Sequence, residues 1–423
     1  MPRSRGNGAH SGKSQEHFFD KPGKSNSLDE NSQQLHTHLM KIRMIAFSGL
    51  ALCLLAGLFC ALFAPRLSEQ SGPPGSVDKT FAPVGVNNSV FAIGAQPDGR
   101  IIIGGAFTSV NGEARWLLAA ITATGAVDRD FKSGLTKEDL SLVRALASLP
   151  NGTVLVGADS GIFGLSRNGT PDKHFHASTD GHVRTIMVEA DGQVLVGGHF
   201  KTIGGQPRDG IARLKDDGSI DGFNLSFPRA SNAASYVSDV APAQGSGYYL
   251  SGAFHPVGAP SALSLVKVTG DGRLDTNFVS AVSGKINNLA LQPDGKLLVA
   301  GEFVGRRIAI ARLLASGGLD ETFDAGFSTS DPSISAIILR ADEKILAAGP
   351  RFTSVRHKPC PGFACLNADG SPDPAFAISP EAALFTDCMA MQRDGKIILT
   401  STAPPGGTFP RGLVRLIGTP IVK

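Results

Sequence analysis

The sequence predicts an all-β fold built from a repeated four-stranded antiparallel unit, on three observations: a hairpin phrase that recurs, a second phrase in step with it, and a composition rich in turn residues. The hairpin phrase reads QPDGRIIIGGAF at 96–107 and QPDGKLLVAGEF at 292–303. Asp-Gly accepts positive φ at both centres of a type I′ turn, and the β-branched run after it suits a pleated strand. Further copies stand at 149–158 (LPNGTVLVGA), 189–200 (EADGQVLVGGHF) and 392–401 (QRDGKIILTS), with degenerate ones at 243–254 (AQGSGYYLSGAF) and 340–352 (RADEKILAAGPRF). Their turn markers, Gly99, Gly152, Gly192, Gly245, Gly295, Glu343 and Gly395, lie about 49 residues apart, inside the range of propeller blades and other repeat arrays.

The second phrase is Gly-x-x-Asp-x-x-Phe. It stands at Gly75-Asp78-Phe81, Gly125-Asp128-Phe131, Gly169-Asp172-Phe175, Gly272-Asp275-Phe278, Gly317-Asp320-Phe323 and Gly370-Asp373-Phe376. A seventh copy, Gly218-Asp221, has its aromatic one place early at Phe223. An apolar strand such as IARL (211–214) or LLAAI (117–121) precedes most copies. Each unit therefore reads strand, tight turn, strand, variable loop, strand, tight turn, short strand, which is one blade of a β-propeller. The repeated Asp is expected to accept backbone N–H bonds as an Asx turn, and the Phe to pack between neighbouring blades. One carboxylate at each of seven separate corners does not make a calcium site.

The chain ends complete the fold prediction. The first Asp-x-x-Phe strand (76–81) precedes every hairpin, whereas the last hairpin is followed by GLVRLIG (412–418) and no Asp-x-x-Phe. Seven hairpins match seven closing strands if the N-terminal strand completes the last blade, which removes exposed sheet edges. The prediction is a seven-bladed β-propeller of four-stranded antiparallel blades over 75–423.

With both phrases placed, the sequence resembles the delta-60 repeat β-propellers, whose mark is a QPDGKILVGGxF hairpin followed by an IARLNxDGxxDxxF unit. The resemblance covers 75–418. It implies a bacterial envelope or secreted repeat protein of unassigned activity, and carries over no catalytic residue. Kelch repeats have a similar period but need a Tyr and a Trp in each blade, and one Trp with three Tyr excludes them.

Gly at 51 and Pro at 26 suit a turn-rich chain, and 42% hydrophobic residues suffice for a core. The net charge of +3, with basic residues scattered, gives no reason to invoke nucleic acid. Residues 44–65, MIAFSGLALCLLAGLFCALFAP, carry no charge and span roughly 33 Å as a helix, enough for a bilayer core. The seven Lys or Arg of residues 1–43 predict a disordered cytoplasmic tail, a transmembrane signal anchor over 44–65, a linker over 66–74 and an exported propeller. If translation starts at Met40, MKIRMIAF instead opens a cleavable secretory signal and the protein is secreted. Cys53 and Cys60 fall in the apolar segment; Cys360 and Cys365 either close the PGFA loop as a disulfide or, with Cys388, remain thiols.

Two candidate surfaces follow. The loops between second and third strands, and those between blades, are long and lean basic, with Arg115, Arg208, Arg306, Arg307, Arg356, His357, Lys358 and Arg411 offering a face for anionic glycans or lipid headgroups against the alternative of ordinary solvated charge. Counting eight residues back from each turn marker gives a ring on the first strands: Phe91, Arg144, Arg184, Asn287, Ser335 and Asp387, with Ser238 from a longer fourth unit. Such a ring lines the mouth of a propeller channel or merely holds water. Among motifs, no Gly-x-Ser-x-Gly elbow, His-Glu-x-x-His helix, zinc-spaced cluster or phosphate loop occurs, so no cofactor or metal is expected. The function expected is a membrane-tethered, extracytoplasmic binding scaffold for an anionic glycan or envelope protein. The alternative is a hydrolase or lyase acting on an extracellular polymer through the channel.

Overall fold

The computed structural model describes residues 72–225, 235–259, 261–304, 309–327, 333–350, 352–378, 386–401 and 411–419. The tail, the apolar segment 44–65, Cys53, Cys60, Arg306 and Arg307 lie outside the described residues. Among the described residues every regular element is a strand, and no helix is long and apolar enough to cross a membrane.

Seven antiparallel sheets of three or four strands, and three two-stranded ribbons, are formed by the described residues. In the first complete unit Val90–Ala95 pairs with Ile101–Gly105, which pairs with Leu118–Ile121. The same meander recurs in His182–Val188, Val194–His199 and Ile211–Leu214, and in Ser283–Leu291, Leu297–Val304 and Ile310–Leu313. The inner strands lie side by side in sequence order: Val90–Ala95, Val143–Ser148, His182–Val188, Tyr236–Pro242, Ser283–Leu291, Ala336–Leu339 and Met389–Met391, the last of which touches the first. At the other end of the chain order, Val84–Gly85 pairs with Gly412–Leu416, and Val77 bridges Leu416.

Two expectations need correction. The outer strand is a full strand only in Pro171–Ser178 and Val84–Gly85; elsewhere it is a single bridge, as in Ile121 with Val127 or Leu313 with Leu319. The Asx turn that follows bends the chain away after that one pair. The hairpin turns also differ from type I′: Gly99 has positive φ but Asp98 does not, Gly99 N–H donates to Gln96 O, and Gln96 N–H donates to Arg100 O. That is a type I turn closed by a glycine bulge, because Pro97 fixes a negative φ at the first centre. In the degenerate copy Glu343 takes the left-handed place, at φ 62°.

The core is distributed between sheets. One cluster joins Leu298, Ala300 and Ile310 of one sheet to Ile337, Ile345, Phe352 and Leu366 of the next. Each phenylalanine of the second phrase lies in such an inter-sheet cluster, Phe81 and Phe131 among them. Cys360, Cys365 and Cys388 are free thiols. Cys365 lies in the cluster holding Phe376 and Cys360 packs against the one holding Phe352, and the two do not bridge.

Candidate functional site

The inner strands share one irregularity. Their pairing with the second strand skips a residue between Val90 and Ala92, Val143 and Ala145, Val183 and Thr185, Val237 and Asp239, and Ile286 and Asn288. The skipped residues are Phe91, Arg144, Arg184, Ser238 and Asn287, the ring positions of the first five units. A β-bulge re-aims the side chain that it frees, and here each bulged residue is exposed or partly exposed directly after a buried valine or isoleucine. Ser335 and Asp387 occupy the same place just ahead of Ala336–Leu339 and Met389–Met391.

The recurring glycine pair serves this geometry. A Cβ at Gly198 would overlap the His182 carbonyl, and one at Gly105 that of Ser89, where the first strand loops over its partner. The glycine before it makes room for the next sheet: a Cβ at Gly104, Gly157 or Gly197 would collide with Val143, Val183 or Val237. Those valines each stand directly before a bulged residue.

The ring is chemically uneven. Arg144 pairs with Asp159 at 3.0 Å and its guanidinium lies 5.8 Å from the Phe91 ring, joining adjacent units. Asp159 also accepts from Ser141 and sits 3.4 Å from His182 Nδ1. His182 stacks on His199 with ring centroids 5.5 Å apart, and His199 lies 4.1 Å from Tyr236. Desolvation, then the nearby Arg184, lowers the pKa of His199. Desolvation and the neighbouring Arg144 likewise lower that of Arg184, which makes no hydrogen bond or ion pair among the described residues. Elsewhere on the ring Asn287 donates to Ile334 O at 2.9 Å, and the surrounding protein desolvates the Asp387 carboxyl and raises its pKa.

One layer deeper, Asp239 accepts from Thr185 Oγ1 (3.0 Å), Asn288 Nδ2 (2.7 Å) and Leu289 N–H (2.8 Å), while Asn288 Oδ1 accepts from Ile337 N–H. This chain links four successive units. Burial pushes the Asp239 carboxyl up to about 6 despite those donors. Among the described residues no group of three His, Cys, Asp or Glu is placed to hold a metal ion.

The described basic loop residues differ in what they touch. Arg115 turns back on Ala114 O and Glu113, and Arg208 on Pro207 O, Gln206 and Asp221 O, while the Nε of each has no hydrogen-bond partner among the described residues. The reason is local: each follows a two-residue ribbon whose carbonyls point at it. Arg356 donates to Asp324 O, and together with His357 occupies the left-handed turn where the equivalent ribbons have Asn111-Gly112 and Gly204-Gly205. Lys358 and Arg411 are exposed.

The corners of the second phrase repeat with little change. Oδ1 of Asp78, Asp128, Asp172, Asp221, Asp275, Asp320 and Asp373 accepts a backbone N–H two residues on. In six of the seven, Oδ2 pairs with a cation: Arg415 and Lys396 on Asp78, Arg100 on Asp128, Arg213 on Asp221, Lys267 on Asp275, Arg312 and Lys296 on Asp320, and Lys344 on Asp373. The guanidiniums of Arg213, Arg312 and Arg415 also cover Phe223, Phe323 and Phe81 at 4.6–5.4 Å. Arg312 donates to Ala368 O and Arg415 to Ala123 O, each in the following unit.

Residues 96–131, 189–222, 292–323 and 340–376 match the family model described as a domain of unknown function (DUF5122) beta-propeller. No curated protein matches the sequence. The WD40 beta propeller domain of Doa1 is similar over 82% of this chain and 98% of its own, at 15% identity and TM-score 0.52. Virginiamycin B lyase from Staphylococcus aureus is similar over 79% and 97%, at 14% identity and TM-score 0.53. At such identities the likeness carries the fold and no activity. The chain is an all-β repeat protein with a β-propeller fold.

Proposed function

We propose that the chain is a seven-bladed propeller of the delta-60 type, closed by its N-terminal strand, anchored in the cytoplasmic membrane through 44–65 with the blades outside, and acting as a binding scaffold for a glycan or envelope protein. The pairing of Val84 with Leu413 and the return of Met389–Met391 to Val90–Ala95 support closure. The observation that carries the functional reading is the ring of bulges. Five inner strands each spend an extra residue at the same place, and that residue changes from Phe to Arg, Arg, Ser and Asn. A position with only a structural task would take similar residues in every unit, as the corner aspartates do. Different side chains on one rigid rim are what recognition of an asymmetric ligand requires.

The test uses the full chain in a mild detergent on a glycan array and against isolated envelope proteins. Asn287→Trp with Ser335→Trp narrows the mouth, and Lys358→Ala with Arg411→Ala strips the exposed loop charge. Binding lost in the first variant and kept in the second is the expected result. Binding that survives the tryptophans but fails without the loop cations would overturn the assignment.

A further inference from the structure

An Asn-Gly pair cyclises more readily than other pairs that begin with Asn, because glycine has no Cβ to hinder its amide nitrogen in attack. Three such pairs stand among the described residues: Asn111-Gly112, Asn151-Gly152 and Asn168-Gly169. The electrophile is alike in all three. Asn111 Oδ1 accepts from Gly85 N–H, Asn151 Oδ1 from Thr153 N–H and Asn168 Oδ1 from Thr170 N–H. The nucleophile differs. Gly152 N–H donates to Leu149 O and Gly169 N–H to Ser166 O, each at 2.9 Å, because each glycine is the residue that closes its turn. In the first ribbon Val110 pairs with Glu113, and the two residues between them take φ 49° and 79°. That is a type I′ turn in which the glycine is an inner residue, and Gly112 N–H makes no hydrogen bond among the described residues. Asn111 and Gly112 are both exposed, and a Cβ built on Gly112 would meet nothing within 4 Å.

Asn111 also holds a strand in place. Its N–H donates to Gly85 O at 2.8 Å, its Oδ1 accepts from Gly85 N–H at 2.7 Å, and Val110 beside it bridges Val86. Gly85 belongs to Val84–Gly85, the N-terminal strand that pairs with Gly412–Leu416. The equivalent ribbons make the first of these bonds, from Gly204 N–H to Ser178 O and from Arg356 N–H to Gly326 O. Neither Gly204 nor Arg356 has a side-chain acceptor for the second.

We propose that Asn111 is a site of spontaneous deamidation and isomerisation, and that isomerisation unfastens the N-terminal strand from the first ribbon. Gly112 N attacks Asn111 Cγ. The new C–N bond closes a succinimide, the Cγ–Nδ2 bond breaks, and the amide proton of Gly112 leaves with Nδ2 as ammonia. Water then opens the ring at either carbonyl, giving aspartate or isoaspartate. Aspartate keeps an oxygen for Gly85 N–H. Isoaspartate routes the main chain through Cγ, which lengthens the two-residue turn by a methylene and draws the oxygen that accepts from Gly85 into the backbone. No ring residue takes part, so the inference stands apart from the scaffold reading.

The test ages the full chain in mild detergent and mildly alkaline buffer, maps deamidation and isoaspartate at the three sites by mass spectrometry of a digest, and follows the Gly85 amide by hydrogen exchange. Asn111 should convert at least ~3-fold faster than Asn151 and Asn168, since a glycine N–H held by an ordinary hydrogen bond must first be released. Isoaspartate should accumulate at position 111, and exchange at Gly85 should quicken in step with it. Asn111→Gly, which gives this ribbon the pair found at Gly204-Gly205, should show the quickened Gly85 exchange from the start and no further change with age. Conversion at Asn111 no faster than at Asn151 or Asn168, aspartate without isoaspartate, or Gly85 exchange that stays constant while isoaspartate accumulates overturns the proposal.

Discussion

The outer corners and the inner rim of this protein are both repeated once per unit, and they repeat differently. At the corners the same chemistry returns: an Asx aspartate, a cation on its second oxygen and an aromatic ring against the next sheet. At the rim the backbone returns, as a bulge, but the side chain it frees changes around the ring. A repeated side chain serves an interface that every pair of sheets must make. A repeated backbone with changing side chains is what the proposed binding role would require.

That contrast predicts its largest effect at the corners. Asp320 and Arg312 are both nearly buried and 2.8 Å apart, and Lys296 adds a second partner at 3.0 Å. Removing one member of such a pair leaves the other charge uncompensated, so Asp320→Ala should lower unfolding free energy by about 3–5 kcal/mol in urea titrations. A loss below about 1 kcal/mol would mean that the corner is an ordinary surface bridge.

The two regions should also titrate in opposite senses. Burial opposes ionisation of Asp78, but the hydrogen bonds from Thr80, with Lys396 and Arg415, overcome it and bring the carboxyl down to about 2. Its stabilisation is present above the unfolded value of 3.8 and should be lost as pH falls through about 2. Asp239, inside the rim, is raised to about 6, so its contribution is present below 3.8 and lost as pH rises through about 6. Stability measured from pH 2 to 8 should therefore show a smaller acid limb in Asp78→Asn, since Asp98 and Asp320 still contribute, and a smaller fall between about 4 and 6 in Asp239→Asn. Unchanged profiles in both variants would contradict the assignment.

The smallest expected effect lies in a loop. Arg356 and His357 hold left-handed conformations, at φ 44° and 65°, which the equivalent ribbons give to Asn-Gly and Gly-Gly. Replacing the pair by Asn-Gly should raise stability by roughly 0.5–1 kcal/mol through relief of strain. A loss instead would show that the Arg356 bond to Asp324 O outweighs the turn.

Much of the fold is legible in the sequence, and so are the positions of the five register shifts on the first strands. The period defines the unit, and counting eight residues from each turn marker reaches the bulged positions, because the hairpin length between bulge and turn is nearly constant from Phe91 to Asn287. The bulge itself is not legible, since a register shift has no residue of its own; its trace is the glycine pair, whose second member lies under the looping carbonyl. The corner cations are hidden because Lys296 and Lys396 stand in the turn phrase, where a charge reads as solvated. His199 is hidden for another reason. It occupies the variable place before the buried Phe200, where other units have Ala106, Ala253 or Glu302, and only pairing shows that this place borders the rim. The partners of Arg115 and Arg208 are not legible, because loop sequence does not reveal which carbonyls a guanidinium will meet.

The most direct test of the division between corner and rim is one denaturation and binding experiment on two variants. Asp320→Ala should unfold at much lower urea while keeping, in the fraction still folded, the binding that the glycan array or envelope proteins detect for the parent. A triple variant, Arg184→Ala with Asn287→Ala and Ser335→Ala, should lose no more than the roughly 0.5–1.5 kcal/mol that the Asn287 bond to Ile334 O contributes, and should lose binding. A triple variant that unfolds as readily as Asp320→Ala would show that the rim holds the fold together and would contradict the division of labour between the two regions.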